Sequence, residues 1–292
     1  MNRLVDFEPL ASAKLDSIDE ALIERFVQRR IQQASKRQPQ KMIGPATVNR
    51  ALATLRKLLR LAHEWRLINR VPRVRLLPGE KSREWIISHD EEPAYLDAAP
   101  QPLRDFALLD LDTGLRVSEA LNLEWAEVYL EPADGAKFGY IKIREGKTKN
   151  ARRNVPLTER ARLMLKSRKA QSHSTWVFAE GADGPILVTS LDHLHAEVRK
   201  GLNMPSEFVL HSLRHTYGTR LGEGGADAFT IMRLMGHSSV TVSQRYVHPT
   251  PEALERAVER LQVLNEKAAK RLAASRVPVV STVVESLMSV SD

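Results

Sequence analysis

A segment with two prolines and a glycine, Val71–Glu84, divides the chain into two parts. Pro72 and Pro78 lack the amide hydrogen that regular structure needs, and Gly79 adds backbone freedom. Because no long helix or central strand can run through such a segment, the residues on its two sides fold separately. We therefore predict two domains with a boundary near Lys81, and 292 residues are enough for both.

The two parts also differ in charge. Residues 1–80 hold 16 Lys and Arg against 8 Asp and Glu, whereas residues 81–292 hold 28 of each kind. The whole net charge of +8 is therefore concentrated in the first part. A charge distribution this one-sided favours a polyanionic partner, with nucleic acid as the first candidate. A basic surface that serves solubility alone and an anionic membrane surface are the alternatives.

The composition excludes several classes of protein. Hydrophobic residues make up 42% and charged residues 27%, which is typical of globular rather than disordered or collagen-like chains. No apolar run approaches the ~18 residues of a transmembrane helix, and Met1–Leu10 lacks the apolar stretch of a signal peptide. Cysteine is absent, so disulfide frameworks and cysteine-based zinc sites are excluded. We expect a cytoplasmic protein with no membrane partner.

The first part, residues 1–80, is predicted to be a helical DNA-binding domain. Apolar residues recur at helical spacing over Asp16–Arg30, and a second helix begins at Pro45–Thr47. The apolar stripe of this second helix consists of Val48, Leu52, Leu55, Leu59 and Ala62. The basic residues outside the stripe that we predict to contact DNA are Arg50, Arg56, Lys57 and Arg60.

The second part has a mixed pattern that predicts an α+β fold, mostly helical, with a small antiparallel sheet. Tyr140–Arg144 and Arg152–Leu157 predict a pair of strands. The predicted helices are Asp90–Ala99, Leu103–Asp112, Thr158–Lys169, Ser190–Gly201, His211–Leu221, Ala226–Leu234, Val240–Tyr246 and one from Thr250 to about Arg271. We assign residues 81–271 to this domain. The tail, residues 272–292 with apolar Val277–Val290, is expected to pack on this chain or on a neighbouring copy.

The sequence contains parts of known nucleotide-binding and metal-binding motifs, but none of these motifs is complete. Gly146-Lys147-Thr148 is not the end of a phosphate-binding loop, because Ile141 stands where that loop has its first glycine. His211 and His215 have the spacing of zinc ligands, but Ser212 stands where a zinc protease has glutamate. The sequence also has no acidic cluster suited to two Mg²⁺ ions, which disfavours metal-dependent nucleases. We therefore predict no metal ion and no cofactor.

What remains is a set of cationic and imidazole side chains with one tyrosine. Its members are Arg116, Lys147, His211, Arg214, His237 and Tyr246. Each of them alone also fits surface pairing or core packing. Together their segments resemble the four signature motifs of the tyrosine recombinase (phage integrase) family, and these segments are Thr113–Leu121, Lys147–Leu157, His211–Thr219 and Leu234–His248.

The resemblance covers residues 83–250 and implies the catalytic site of that family. The family's site has an arginine in a Gly-x-Arg-x-x-Glu motif, a β-hairpin lysine, a His-x-x-Arg pair, a histidine after a glycine and a tyrosine nucleophile. The six residues above occupy these positions. Lys147 is chosen as the hairpin lysine, whereas its neighbours Lys149 and Arg152 are predicted to contact backbone phosphates. Glu119 is predicted to orient the motif's arginine or cap its helix, and His215 to satisfy a core hydrogen bond.

These residue types suit the exchange of DNA strands. A tyrosine hydroxyl can form a phosphodiester that a deoxyribose hydroxyl attacks again, so the bond energy is conserved. The two arginines can hold the negative charge that develops on the phosphate, and Lys147 can protonate the departing 5′ oxygen. His211 is predicted to accept or relay the proton of Tyr246, and His237 to hydrogen-bond a phosphate oxygen.

The resemblance implies a site-specific DNA recombinase or integrase that works through a covalent 3′-phosphotyrosine, without metal or ATP, for a mobile element. Two alternatives stay open. One is a DNA-binding regulator without strand transfer, with Ala226–Tyr246 as a helix-turn-helix, and the other is an enzyme similar to type IB topoisomerases. The implied partners are double-stranded DNA, further copies of the chain in a tetramer on paired DNA sites, and an accessory DNA-bending or directionality protein.

Overall fold

The computed structural model describes residues 2–35, 39–80, 85–133, 135–144, 152–180, 184–247 and 251–275. The chain divides into two compact units, Met1–Arg83 and Glu84–Asp292. Each unit contains its own cluster of buried apolar residues. No helix in the described ranges is both long enough and apolar enough to cross a membrane.

The described part of the first unit is helical. Its helices are α1 (Asn2–Val5), α2 (Glu8–Ala11), α3 (Glu20–Ile31) and α4 (Pro45–Glu64). Helix α3 begins later than the predicted Asp16 because Leu15–Ser17 form a short 3-10 helix. The Asp19 side chain then caps α3 by accepting a hydrogen bond from the Leu22 amide at 2.7 Å. Pro45 occupies the first turn of α4, where a missing amide hydrogen does no harm.

The predicted apolar stripe of α4 is confirmed, since each of its five residues is at most 3% exposed. Three of the four basic residues outside the stripe, Arg50, Lys57 and Arg60, are exposed. The fourth differs, because the guanidinium of Arg56 turns back and donates to the carbonyl oxygen of Val74. Helix α4 therefore buries one side and presents basic side chains on the other.

The second unit combines helices with a small sheet, so the predicted fold class is confirmed. Its elements in chain order are α5 (Glu91–Ala98), α6 (Leu103–Thr113), α7 (Val117–Leu121), β1 (Val128–Tyr129), β2 (Tyr140–Ile143), β3 (Arg153–Pro156), α8 (Glu159–Gln171), α9 (Val188–Gly201), α10 (Leu210–Glu223), α11 (Ala228–Met235), α12 (Val240–Gln244) and α13 (Pro251–Ser275). The predicted helices are present with ends shifted by a few residues. Two short elements, α7 and β1, were not predicted.

The three strands form an antiparallel sheet in the order β1-β2-β3. Ile141 pairs with Val155 and Lys142 with Asn154 across the β2–β3 pair. The first pair is buried and the second exposed, which is the alternation that a strand with one buried face requires. Arg153 belongs to the buried face, although it is charged.

Helix α6 lies at the centre of the core of the second unit. It packs against α5, α8 and α10, and its Leu103, Phe106 and Leu109 are fully buried. Phe106 meets Phe178 edge-on, with ring centroids 5.9 Å apart. The C-terminal end of α6 adjoins α7 and α10, so the loop that follows it is held on a rigid base.

Helix α13 differs from the other long helices. Over residues 251–273, every side chain whose position is described is exposed. Its apolar residues include Leu254, Val258, Leu261 and Leu264, each at least 56% exposed. The predicted tail Val277–Val290 lies outside the described residues.

Candidate active site

A tight turn after α6 places Arg116. Gly114 ends the helix with φ of +57°, in the left-handed region that favours glycine. A Cβ atom at this position would also overlap the ring of Tyr217 on α10. Only glycine fits both requirements, so the turn holds Arg116 at the start of α7, facing α10 and α11.

Glu119 fixes the orientation of Arg116. Its carboxylate accepts hydrogen bonds from the Arg116 amide at 3.0 Å and from the Arg116 guanidinium. It also accepts from Arg153 Nη2 at 2.8 Å. Burial alone would raise the pKa of Glu119, but the bonds and charges of Arg153 and Arg116 hold it below its ordinary value. Glu119 therefore stays ionised and both orients the arginine and caps its helix, as the sequence predicted.

Arg214 lies on the buried side of α10 and is 3% exposed. Its guanidinium donates to the carbonyl oxygens of Gly114 and Met235, the latter at 2.6 Å. Burial, followed by the positive charge of Arg116, lowers the pKa of Arg214 to about 10. The side chain remains a cation at neutral pH, but the nearby carboxyl groups do not fully offset its positive charge.

His237 follows a second left-handed glycine, Gly236, which ends α11 with φ of +66°. The carbonyl of Gly236 accepts a hydrogen bond from Arg116, so the Arg116 and His237 segments are directly joined. His237 is 7% exposed, and its Nδ1 lies 2.7 Å from the Ser243 hydroxyl. Burial, together with the positive charges of Arg214 and Arg116, lowers the pKa of His237 to about 4. Its imidazole is therefore neutral at neutral pH.

Tyr246 packs in a groove of α10 that two glycines create. A Cβ atom at Gly218 would come within 2.9 Å of the Tyr246 ring, and one at Gly222 would overlap its carbonyl. The ring stacks beside that of His237, with centroids 6.2 Å apart and planes 14° from parallel. The Tyr246 hydroxyl lies 2.8 Å from His215 Nδ1, and the residue is 7% exposed.

His211 is exposed and contacts His215, the residue beside the Tyr246 hydroxyl. Its ring meets that of His215 edge-on at 4.8 Å between centroids. Its pKa is lowered to about 4, first by the atoms packed around the ring and then by the charges of His215, Arg214 and Arg116. His211 is predicted to accept or relay the proton of Tyr246, and in this arrangement His215 lies between the hydroxyl and His211.

The structure therefore brings five of the six predicted site residues together in one cluster, which we call the catalytic cluster. It comprises Arg116, His211, Arg214, His237 and Tyr246, joined by the contacts described above. The sixth residue, Lys147, and the predicted phosphate contact Lys149 lie outside the described residues. Arg152 is exposed at the start of β3. In the described ranges no group of three or more His, Asp and Glu is placed to hold a metal ion.

Three residues that matter at this site were missed or underrated by the sequence analysis. Arg153 is one, and its alternation with buried Val155 is the signal that places it on the inner face. His215 was expected to make a core hydrogen bond, and its partner proves to be the tyrosine. Asp110 on α6 is completely buried, and neither carboxyl oxygen has a partner in the described part of the chain.

Asp110 affects the charge of the catalytic cluster. Burial raises its pKa well above the ordinary value, although Arg214 opposes this shift. Burial therefore disfavours the charged form of Asp110, whereas Glu119 offsets part of the positive charge of Arg116, Arg153 and Arg214. The cluster therefore carries an excess of positive charge that matches an anionic phosphodiester.

Comparison with known proteins identifies the family. The model of the phage integrase family matches residues 84–253, more than half of the chain. The chain belongs to the phage integrase family. The matched segment of this family extends from before Arg116 to beyond Tyr246, so it contains the whole catalytic cluster.

One similar member of the phage integrase family is the integrase of Salmonella phage P22. It is 27% identical over 221 residues, which cover 72% of this chain and 55% of that protein. This chain thus spans about half the length of that relative.

Two solved structures share the phage integrase fold with this chain. The Tn1549 transposon integrase in complex with a circular intermediate DNA gives a TM-score of 0.70 at 20% identity, covering 89% of this chain and 90% of that one. A lambda integrase tetramer bound to a Holliday junction gives a TM-score of 0.61 at 21% identity, covering 80% and 66%. At these identities the similarity concerns the fold.

Proposed function

We propose that this chain is a site-specific DNA recombinase that cuts and rejoins strands through a covalent 3′-phosphotyrosine at Tyr246. One observation carries the proposal above all others. The Tyr246 hydroxyl is held by His215 at 2.8 Å, beside His237, in a cluster that also contains two arginines anchored by backbone carbonyls. Membership of the phage integrase family supports the same activity.

In the first step, the Tyr246 oxygen attacks the phosphorus of a DNA phosphodiester. A bond forms between that oxygen and phosphorus, and the bond from phosphorus to the 5′ oxygen breaks. The phenolic proton passes to His215, and the 5′ oxygen takes a proton from Lys147, which leaves a free 5′ hydroxyl. Water is not consumed, so the energy of the broken bond is kept in the phosphotyrosine.

Arg116 and Arg214 stabilise the phosphate during this step. Each guanidinium has five N–H donors, and the carbonyls of Gly114, Met235 and Gly236 engage some of them and fix its direction. The remaining donors can face the non-bridging oxygens, where negative charge develops. Because these donors are already oriented before the phosphate arrives, little reorganisation is needed in the transition state.

In the second step, the 5′ hydroxyl of another strand attacks the phosphotyrosine. The new phosphodiester replaces the bond between tyrosine and phosphorus. The attacking 5′ hydroxyl gives its proton to Lys147, and His215 returns the phenolic proton to the Tyr246 oxygen. One phosphodiester is exchanged for another in the whole cycle, so we propose that neither ATP nor a metal ion takes part. Because the P22 and Tn1549 integrases serve a phage and a transposon, we propose that this enzyme serves a mobile element.

We assign the first unit, residues 1–80, to binding double-stranded DNA. Two observations support this assignment. Helix α4 has an exposed basic face with Arg50, Lys57 and Arg60, and residues 1–80 carry the entire net positive charge of the chain. Residues 81–271 would then carry the catalytic reaction. Since the substrate is DNA, we place the reaction in the cytoplasm, with an accessory DNA-bending or directionality protein as a further partner.

We also propose that four copies assemble on paired DNA sites, because two duplexes contribute four strands to an exchange. The lambda integrase, which has the same fold, forms a tetramer on a Holliday junction. In this chain the apolar residues of α13 recur at helical spacing and are exposed. A second copy would cover this face of α13, and the tail 272–292 would extend the same contact.

The experiment uses a nicked duplex that carries the junction sequence of the integrated element. Wild-type protein should become covalently attached to the duplex, and Tyr246→Phe should bind the duplex without attachment. An adduct formed by Tyr246→Phe would refute the assignment of the nucleophile. Tight binding by the wild type without any adduct would instead support a regulator.

A second assay separates recombination from topoisomerase activity. Recombination of two marked sites on a plasmid is expected. Relaxation of supercoils on a plasmid without such sites, with no recombinant product, would instead support an enzyme similar to type IB topoisomerases.

A further inference from the structure

A cleft of about 590 Å³ lies between the base of the β2–β3 hairpin and helix α11. Basic side chains dominate its lining, and no carboxylate belongs to the lining residues that the structure describes. We call it the basic cleft, and its charged lining residues are Lys142, Arg144, Arg152, Arg153 and Arg233. Five cations around one opening, with no acidic residue in the described part of its lining, indicate a site for a strongly anionic ligand.

Two of these cations are already engaged. Arg153 is bound to Glu119 and to the carbonyl oxygen of Leu234, at 2.7 Å from its Nε. Arg144 donates to the carbonyl oxygen of Ala126 at 3.2 Å and lies 3.9 Å from Glu127. These contacts fix the walls of the basic cleft, since Arg153 joins β3 to α7 and α11, and Arg144 joins the end of β2 to the segment before β1.

The other three cations, Lys142, Arg152 and Arg233, are free to bind a ligand. All three are exposed, and within the described ranges none of them makes a hydrogen bond or an ion pair. They come from two different elements, the hairpin and α11. A ligand with several negatively charged oxygens would therefore bridge these elements.

We propose that the basic cleft binds a backbone phosphate of the DNA substrate, separate from the phosphate that reacts. This inference rests on the proposed function and adds Arg233 and Lys142 to its DNA contacts. Arg153 lines the cleft and also bonds to Glu119, which holds Arg116, so the cleft adjoins the catalytic cluster. A DNA strand with its reacting phosphate at Arg116 carries further phosphates on either side, and one of them would enter the basic cleft.

Binding of a mixed-sequence duplex of about 30 base pairs tests this site, because phosphate contacts do not depend on sequence. The affinity is measured over a range of salt concentrations for wild type, Arg233→Gln and Lys142→Gln in the full-length chain. The logarithm of the binding constant falls with the logarithm of salt, and its slope decreases by ~0.9 for each phosphate contact removed. We expect that decrease in each variant, together with weaker binding.

Two further variants serve as controls. Arg233→Lys keeps the charge and should restore the slope of the wild type. Arg104→Gln removes an exposed arginine that does not line the cleft and pairs with Asp97 at 3.4 Å. It should leave the slope unchanged.

A slope in Arg233→Gln equal to that of the wild type would overturn the proposal. If the same variant kept its DNA slope but bound a polyglutamate peptide more weakly, an acidic protein segment would be the occupant instead. The covalent assay on Tyr246 is independent of this result. A changed slope without any adduct would leave the basic cleft standing while the recombinase assignment fails, and an adduct with an unchanged slope would reject the cleft alone.

Discussion

Asp110 is a carboxyl group buried beneath Arg214 without a hydrogen-bond partner in the described part of the chain. The folded protein holds its proton more tightly than the unfolded chain, because burial raises the pKa of the group. The free energy of unfolding therefore falls as the pH rises above the ordinary pKa of 3.8. The fall amounts to at most ~1.4 kcal/mol per pH unit for one group, and it ends above the raised pKa.

Asp110→Asn should remove this dependence. We expect the variant and the wild type to have similar free energies of unfolding near pH 4. As the pH rises from there to the raised pKa of Asp110, the variant should become the more stable by an increasing margin. Urea unfolding at a series of pH values measures the difference. A margin that stayed constant with pH would show that Asp110 is ionised in the folded protein.

In the proposed reaction, either His215 or His211 could accept the proton of Tyr246. Since His215 Nδ1 lies 2.8 Å from the hydroxyl, His215→Asn should slow adduct formation by ~10² or more, a loss typical of general bases. His211→Asn should have a smaller effect on this step, because His211 reaches the tyrosine only through His215. Single-turnover formation of the adduct measures both rates. The reverse order of effects would return the role to His211.

The residue types of the catalytic cluster could be predicted from the sequence, but not their contacts. The motifs identified Arg116, Arg214 and Tyr246 because chemistry restricts which side chains can serve. The partner of the Tyr246 hydroxyl depends on the rotation of α10 and on how closely α12 approaches it. Gly218 and Gly222 allow that approach, and a single sequence does not show which other segment a glycine faces.

Strand β3 is tied to two other elements by one side chain, Arg153. Its guanidinium bonds to Glu119 on α7 and to the carbonyl oxygen of Leu234 on α11. It also occupies the space in front of Gly236, where a Cβ atom would lie 2.6 Å from Nη1. The ion pair is almost fully buried, so the loss of either partner leaves the other charge uncompensated.

A double-mutant cycle measures the interaction free energy of the ion pair between Arg153 and Glu119. Arg153→Met alone should destabilise the protein by ~3–5 kcal/mol, because Glu119 keeps a buried charge with one partner fewer. Glu119→Gln in the Arg153→Met background should recover part of the loss, since the amide carries no charge. Denaturant unfolding of the four proteins yields the coupling energy. Strictly additive effects would mean that the two side chains stabilise the fold independently.

Element lengths explain which parts of the fold could be predicted. Helix α4 has a stripe of five apolar residues over several turns, so its period is clear. Strand β1 has two residues and α7 a single turn, and neither is long enough to show a period. Helix α3 begins after the predicted Asp16 because Asp19 caps it. The sequence has several acidic residues in that region that could serve as the cap, so it does not show which one does.

At the scale of the whole molecule, α13 is a long helix whose described apolar residues are exposed. Removing residues 251–292 should leave the folding of both units intact, because every described side chain of this helix is exposed. The melting temperature should change little, and binding to a single DNA site should persist. The assembly of four copies on paired sites should be lost, which sedimentation velocity on DNA would detect. A truncated chain that still forms the tetramer would exclude α13 as the contact.

The excess positive charge around Arg116 and Arg214 has a practical consequence for work with the purified protein. Any small oxyanion in the buffer, such as sulfate or inorganic phosphate, is attracted to the same positive charge to which we assign the DNA phosphate. An anion at ten times its dissociation constant would add ~1.4 kcal/mol to the apparent stability by mass action. Melting temperatures from a chloride buffer therefore describe the protein without a bound oxyanion, and a phosphate titration would measure how strongly this charge binds one.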